Sequence, residues 1–276
     1  MITDNGSYRP ESTFSLRTLA GKMTERTGHH VHPVSLLHST KIDPAKLKGE
    51  PAQIFEPFIQ SKLEEGTTSF LMLPMFFGPS AATMEYVPQR VTELREKYPD
   101  LEVRVAPCVV DKDDESDTRM AKILLDLSLA TAKKHDLHQP ALTLVDHGTP
   151  RIAVTEVRNH LATQLENLGG DRFTKVTPCS MERREGDEYA FNEPLLENLL
   201  GTEGFADDVV IAMLFASPGR HAGPGGDVAE IIENAQKEHP SMMAYMTELV
   251  ATHPGLIDIL AERFEQGLNS APVFWA

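Results

Sequence analysis

An internal repeat constrains the fold of this chain more than any other feature of its sequence. The segment LVDHGTPRIAV at residues 144–154 resembles ITDNGSYRPE at residues 2–11. Aspartate, glycine and a small hydroxyl residue recur in the same order, but His147 in the second copy corresponds to Asn5 in the first. With 276 residues available, the repeat indicates two similar units in tandem.

The correspondence continues through both halves of the chain. Each copy of the turn precedes a helical pattern and then a short apolar strand, and four matched pairs keep the halves aligned: Pro33 with Pro178, Ser35 with Ser180, Pro51 with Pro194, and Pro79 with Pro218. Apolar strands that alternate with helices favour a small parallel sheet with helices on both faces. We therefore predict two α/β domains, residues 1–138 and 139–276, each with strand and helix four times over.

Composition excludes several classes of partner. The net charge of −15 argues against nucleic acid and anionic membranes, because both require clustered lysine and arginine. No apolar run approaches the roughly 20 residues that cross a bilayer, and the first residues lack the pattern of a signal peptide. We expect a cytoplasmic protein. Cys108 and Cys179 lie far apart and form no CxxC pair that would hold zinc.

Three titratable residues follow three strands of the second half. Ligands of open parallel sheets bind beyond the carboxyl ends of the strands, where the second half carries His147, Glu182 and His221. The aligned residues of the first half are not titratable: Asn5, Leu37 and Ala82. Two imidazoles and a carboxylate suit a divalent first-row metal, and imidazole also accepts protons near neutral pH.

Each of these residues also has a purely structural interpretation. A histidine after a strand is more often a hydrogen-bonded structural residue, and Glu182 lies in a charged ERREGDE run that is typical of solvated surface. Gly148 and Gly219, beside the two histidines, are compatible with turns that bring backbone close to a flat ligand, or with simple turn chemistry. The joint occurrence in one half favours a functional site. No GxGxxG, GxxxxGK[ST] or GxSxG motif occurs.

A second histidine cluster lies in the first half. His29, His30 and His32 flank a predicted strand, whose alternating faces allow at most two of them to point together. A metal site is conceivable there, but the pattern favours a surface role.

The order of these motifs resembles the class II chelatases, and most closely the sirohydrochlorin chelatases of the CbiX and SirB type. The shared pattern is a strand ending in HG plus a hydroxyl residue, a strand followed by glutamate and a PLL helix, and a strand ending F-x-x-x-G-x-H. The closing segment LVATHPGLIDILAERF is similar as well. The resemblance covers nearly the whole chain, as two tandem chelatase-like halves.

The resemblance implies insertion of a divalent metal into a tetrapyrrole without ATP, in a cleft between two halves related by pseudo-twofold symmetry. His147 and His221 match the histidines that hold the metal and accept pyrrole protons, and Glu182 matches the carboxylate. Sirohydrochlorin carries carboxylates, which arginines bind well. We take Arg220 and Arg151 as candidates to bind them, and Arg183 and Arg184 as weaker ones.

The chain departs from that family in the location of its site. Two-half members keep the site in the first half, whereas only the second half is complete here. The resemblance implies no permanently bound cofactor, with Co2+ or Fe2+, or else Ni2+, as a substrate. The alternatives are a carrier that binds the tetrapyrrole or the metal without catalysis, and a chelatase for another porphyrin. A tandem chain could act as a monomer containing an internal pseudo-dimer.

Overall fold

The chain folds into two compact units, described here from a computed structural model that describes residues 1–273. Unit 1 comprises Met1–Asp111 and the segment from Ile257 onward, and unit 2 comprises Lys112–Leu256. The chain therefore passes from one unit to the other twice. No helix among the described residues combines the length and the apolar character needed to span a membrane.

Nine strands and eight α-helices make up the regular structure of residues 1–273. The strands are β1 (Ile2–Thr3), β2 (Val34–Ser35), β3 (Gln53–Ile54), β4 (Ser69–Pro74), β5 (Glu102–Val105), β6 (Ala141–Asp146), β7 (Val176–Ser180), β8 (Asp208–Met213) and β9 (Met243–Met246). The helices are α1 (Pro10–Thr27), α2 (Phe55–Glu64), α3 (Val87–Lys97), α4 (Arg119–Lys134), α5 (Ile152–Gly169), α6 (Leu196–Leu199), α7 (Asp227–Glu238) and α8 (Leu256–Leu268). A π-helical turn, Ala82–Tyr86, leads into α3.

Both units contain a small parallel sheet, so the predicted α/β architecture is confirmed. In unit 2 the strand order is β7-β6-β8-β9, and every pairing is parallel. In unit 1 the order β1-β4-β5 is parallel too, and a bridge between Ile2 and Pro33 places β2 beside β1. Strand β6 is buried along its whole length, as the continuous apolar run of a central strand requires.

The backbone hydrogen bonds repeat as the sequence alignment requires. The N–H of Leu37 donates to the carbonyl of Asn5, and the N–H of Glu182 donates to the carbonyl of His147, each at 3.2 Å. The adjacent glycine has a positive φ in both units, +88° at Gly6 and +92° at Gly148. The two halves therefore build the same turn after their first strand.

The last helix of each half packs into the unit formed by the other half. Helix α4 contacts strand β8 and helix α5 in unit 2, and α8 approaches unit 1 closely at Gly267, where an added Cβ would lie 2.7 Å from Leu71 and Ala106. The compact units therefore differ from the predicted halves 1–138 and 139–276. The helices bury their apolar faces where complementary surface exists, which the order of elements along the chain does not reveal.

The aligned prolines Pro51 and Pro194 both lie before the helices that follow them. Pro51 precedes β3, a two-residue strand that pairs with β2, and α2 begins only at Phe55. Pro194 follows a cis peptide bond and precedes α6, which begins at Leu196. The sequence pattern of a polar loop entering a helix did not distinguish a short added strand from a first helical turn.

Candidate active site

The three titratable residues at the strand ends of unit 2 lie together. His147 follows β6 directly, and its Nε2 lies 3.4 Å from Oε1 of Glu182, which comes two residues after β7. The ring of His221, in the loop after β8, lies with its centroid 4.5 Å from that of His147, at 76° between the ring planes. Two imidazoles and one carboxylate thus share one edge of a parallel sheet.

The hydrogen bonding of His147 determines which of its ring nitrogens carries the proton. Its Nδ1 lies 3.0 Å from the carbonyl oxygen of Gly148, and a carbonyl only accepts, so Nδ1 donates and Nε2 keeps its lone pair. That lone pair and the carboxylate oxygen then face each other. A proton or a cation between them would relieve the repulsion, which makes this pair able to hold either.

His221 is oriented by a carboxylate that the sequence analysis missed. Its Nδ1 lies 2.6 Å from Oδ2 of Asp227, the first residue of α7. A carboxylate accepts a hydrogen bond from Nδ1–H, which fixes the ring and leaves Nε2 as the basic nitrogen. The available signal was an acidic residue at the start of a helix, six residues after a candidate histidine.

Replacing Asp227 with asparagine should weaken function while preserving the fold. Asp227→Asn retains an oxygen that can accept from His221 Nδ1, but loses the negative charge that favours this arrangement. We expect the turnover rate at this site to fall about 10- to 100-fold, with an unchanged thermal unfolding midpoint. Glu233→Gln, an equal loss of charge on the exposed face of the same helix, is the matched control. Equal activity of the two variants would contradict the role of Asp227.

A buried polar network supports the turn that carries His147. Arg158 of α5 is 1 % exposed; its Nη1 lies 3.5 Å from Oδ1 of Asp146, and it also donates to Ser180 Oγ and to the Asn192 carbonyl. Oδ1 of Asp146 in turn accepts from the N–H of Gly148 at 3.1 Å. Burial raises the pKa of Asp146, and the adjacent Arg158 partly offsets this effect.

Asn192 connects this network to the turn itself. Its side-chain oxygen accepts from the N–H of Thr149 at 2.9 Å, and its amide donates to the Thr149 carbonyl, also at 2.9 Å. The same amide donates to the carbonyl of Tyr189, in the loop that follows Glu182. Asn192 is completely buried. The positions of His147 and Glu182 are therefore set by one connected group of buried hydrogen bonds.

Gly148 permits the close approach of the two loops. A Cβ at this position would lie 1.8 Å from the carbonyl oxygen of Glu182, and the φ of +92° is unfavourable for other residues. Gly148→Ala should lower the free energy of unfolding by about 3 kcal/mol. Gly223→Ala, with φ +105° but open space around the Cβ, should cost only about 1 kcal/mol. Chemical denaturation of both variants tests this, and equal losses would contradict it.

The other predicted residues lie in the loops and helix starts next to these side chains in the sequence. The N–H of Gly219 donates to the Ala222 carbonyl at 3.1 Å and closes the turn that contains His221. The side chain of Arg220 is 79 % exposed, and its Nε lies 3.5 Å from Asp227. Arg151 immediately precedes α5 and is half-buried. Arg183 is paired with Glu193 at 2.7 Å, and Arg184 lies over the ring of Tyr189.

The arrangement in unit 2 is open rather than a closed metal centre. Within residues 1–273, no group of three or more histidine, cysteine, aspartate or glutamate side chains is placed to hold a metal ion. Unit 1 repeats the turn but carries Asn5, Leu37 and Ala82 at the equivalent positions.

Comparison with known proteins agrees with this fold. SirB from Bacillus subtilis with Fe3+ has a TM-score of 0.66 at 14 % identity, covering 97 % of this chain and 94 % of SirB. SirB from Bacillus subtilis subspecies spizizenii in complex with cobalt has a TM-score of 0.61 at 15 % identity, over 97 % and 94 %. CbiX, described as the terminal enzyme of siroheme biosynthesis in denitrifying bacteria, gives 0.59 at 15 % identity, over 96 % of both chains. No curated protein sequence matches significantly.

These likenesses show that the chain has the fold of the class II chelatases. Residues 141–267 also match the CbiX family model, and this match contains all three titratable residues of the unit 2 site. The second half of the chain is thus a CbiX-family domain, and the predicted resemblance to the CbiX and SirB type is confirmed.

Proposed function

We propose that this protein inserts a divalent metal ion into sirohydrochlorin or a closely related tetrapyrrole, without ATP. One observation carries the proposal: His147 and His221 lie with ring centroids 4.5 Å apart, and each has a carboxylate within 3.5 Å. The CbiX-family match over the same residues supports it. Co2+ and Fe2+ are the proposed metals, with Ni2+ as a further candidate, because histidine and carboxylate ligands accept all three.

The chemistry requires both metal ligands and bases. A free-base tetrapyrrole carries two N–H protons, and the incoming cation replaces both, so each turnover releases two protons. In this proposal the His147–Glu182 pair accepts one proton and the His221–Asp227 pair accepts the other. Both pairs face the carboxyl edge of the sheet, from which protons can pass to water. The open arrangement leaves coordination positions for the pyrrole nitrogens.

Recognition of the substrate would depend on arginine side chains near this edge. Arg220 adjoins His221, and its side chain is 79 % exposed, which leaves the guanidinium accessible to a carboxylate of the macrocycle. Arg151 follows the turn that carries His147 and is the second candidate. We propose no permanently bound cofactor and a monomer of 30.6 kDa, which light scattering would check.

The test is a metal screen with sirohydrochlorin. The intact protein is mixed anaerobically with the pigment and with Co2+, Fe2+ or Ni2+, and the absorption change on metallation is followed. We expect at least one metal to be inserted well above the rate without protein. Rates equal to the background for all three metals would contradict the proposal. If the pigment binds tightly but is not metallated, the protein is a carrier and the proposed reaction is wrong.

A further inference from the structure

A cavity lies in unit 1, at the amino ends of its strands. The unit 2 site, in contrast, lies at the carboxyl ends of the strands of unit 2. The unit 1 cavity measures about 400 Å³ and opens beside the start of β4, where Ser69 and Phe70 line it, and beside Met1, which precedes β1. Its size falls within the range of small-molecule sites. It includes none of the residues assigned above to metal insertion.

Aromatic rings form much of the wall of this cavity. Phe58, Phe70 and Phe264 line it, together with aliphatic side chains that include Leu71. The Phe58 and Phe70 rings lie 6.5 Å apart at 71°, an edge-to-face arrangement. A flat apolar body would bury its faces against these rings.

The ionisable side chains that line the cavity are all basic. His29, His30, His32 and Lys62 line it, and no aspartate or glutamate is among its described lining residues, although the chain carries 41 acidic side chains. The rings of His30 and His32 lie 4.3 Å apart. Lys62 is paired with Glu65 at 2.7 Å, outside the lining. The cavity therefore complements the negative charge of a ligand rather than a positive one.

A metal ion fits this cluster less well than an organic anion. The described lining residues offer imidazoles but no carboxylate or thiolate, and the ammonium group of Lys62 would repel a cation. The ring nitrogens of His30 and His32 have no hydrogen-bond partner among residues 1–273. They can donate to oxygen atoms of a ligand.

We propose that this cavity binds a small aromatic carboxylate, with the ring system against Phe58 and Phe70 and the carboxylate at His30 and His32. This site is independent of metal insertion by unit 2.

Proton uptake should accompany binding. Burial, together with the charges of His30, the Met1 amine and Lys62, lowers the pKa of His32 to about 4, and Glu65 opposes this shift. A bound carboxylate would raise that pKa by favouring the charged imidazole. Affinity should therefore increase as the pH falls from about 7.5 to about 5.5, a range in which a carboxylate stays ionised.

Titration calorimetry with 2-naphthoate tests the proposal, with 2-naphthalenemethanol as the neutral analogue. We expect naphthoate to bind at least about tenfold more tightly than the alcohol, to bind more tightly at the lower pH, and to take up protons in buffers of different ionisation enthalpy. No binding of naphthoate, or equal affinity for the alcohol, would overturn the proposal. Binding of Ni2+ or Zn2+ that is lost with His30, in the absence of naphthoate binding, would overturn it in favour of a metal site.

Two variants locate the binding site. His32→Gln should weaken naphthoate binding about tenfold, and His30→Gln, at an exposed position, should weaken it without affecting the fold. His138→Gln in unit 2 is the matched control, and its thermal unfolding and binding should equal those of the unmodified protein. If both variants are folded and both bind naphthoate with unchanged affinity, the ligand binds elsewhere and the proposed cavity site is wrong.

Discussion

His147→Asn is expected to reduce the initial rate of metal insertion by at least about 100-fold, because general acid–base groups contribute about 10²–10⁴. The substitution gives unit 2 the residue that unit 1 carries at Asn5. Asparagine fits the same turn, because the backbone hydrogen bond is the same in both units. The N–H of Leu37 donates to the carbonyl of Asn5 in unit 1, and the N–H of Glu182 donates to the carbonyl of His147 in unit 2. The fold should therefore persist while the imidazole base and ligand are lost.

The measurement is the rate of sirohydrochlorin metallation, with pigment binding followed separately by fluorescence quenching. We expect pigment binding to change less than about threefold, because the proposed mechanism assigns His147 to the metal and the pyrrole protons rather than to the carboxylates. His138→Gln, a histidine remote from the strand ends of the site, serves as the control. A His147→Asn protein with at least half of the original rate would show that His147 is a structural residue.

Arg158→Leu is expected to lower the free energy of unfolding by about 3–5 kcal/mol, the usual cost of leaving one partner of a buried ion pair alone. Arg158 is 1 % exposed, and it contacts Asp146 and Ser180. Unit 1 has Leu16 at the corresponding position of α1, so leucine is a side chain that this fold accepts there. The unfolding free energy is measured by chemical denaturation.

The pH dependence of the stability lost in Arg158→Leu shows whether an unpaired buried charge or a packing defect causes it. Burial already raises the pKa of Asp146, and removing Arg158 raises it further. A carboxyl group with a raised pKa in the folded state contributes most stability below its unfolded pKa and loses it as the pH rises through the folded pKa. The destabilisation should therefore be smaller at about pH 5 than at about pH 8, and Asp146→Asn combined with Arg158→Leu should recover part of it. A loss independent of pH would indicate a packing defect instead.

Much of the fold was predictable from local pattern. The repeated turn, the alternation of apolar strands and helices, and the convergence of strand ends all follow from residue order, because a parallel sheet brings the carboxyl ends of its strands to one edge. The positions of His147, Glu182 and His221 after β6, β7 and β8 follow from the same rule.

The remainder depends on contacts between distant residues. The exchange of α4 and α8 between units is decided by which surfaces fit, as the approach of Gly267 to Leu71 shows. Arg158 looks like an ordinary helical arginine in sequence, and only the structure reveals it beneath Asp146. The role of Asp227 was equally invisible, because an acidic residue at a helix start is common for reasons of helix polarity.

We propose that unit 2 catalyses repeated metal insertion rather than binding one pigment molecule. The most direct measurement mixes the protein with a tenfold excess of sirohydrochlorin and the preferred metal, and counts metallated pigment per chain by absorption. The account predicts conversion of all the pigment, with loss of this turnover in His147→Asn. Metallation that stops at one molecule per chain, or that continues undiminished in His147→Asn, would contradict it.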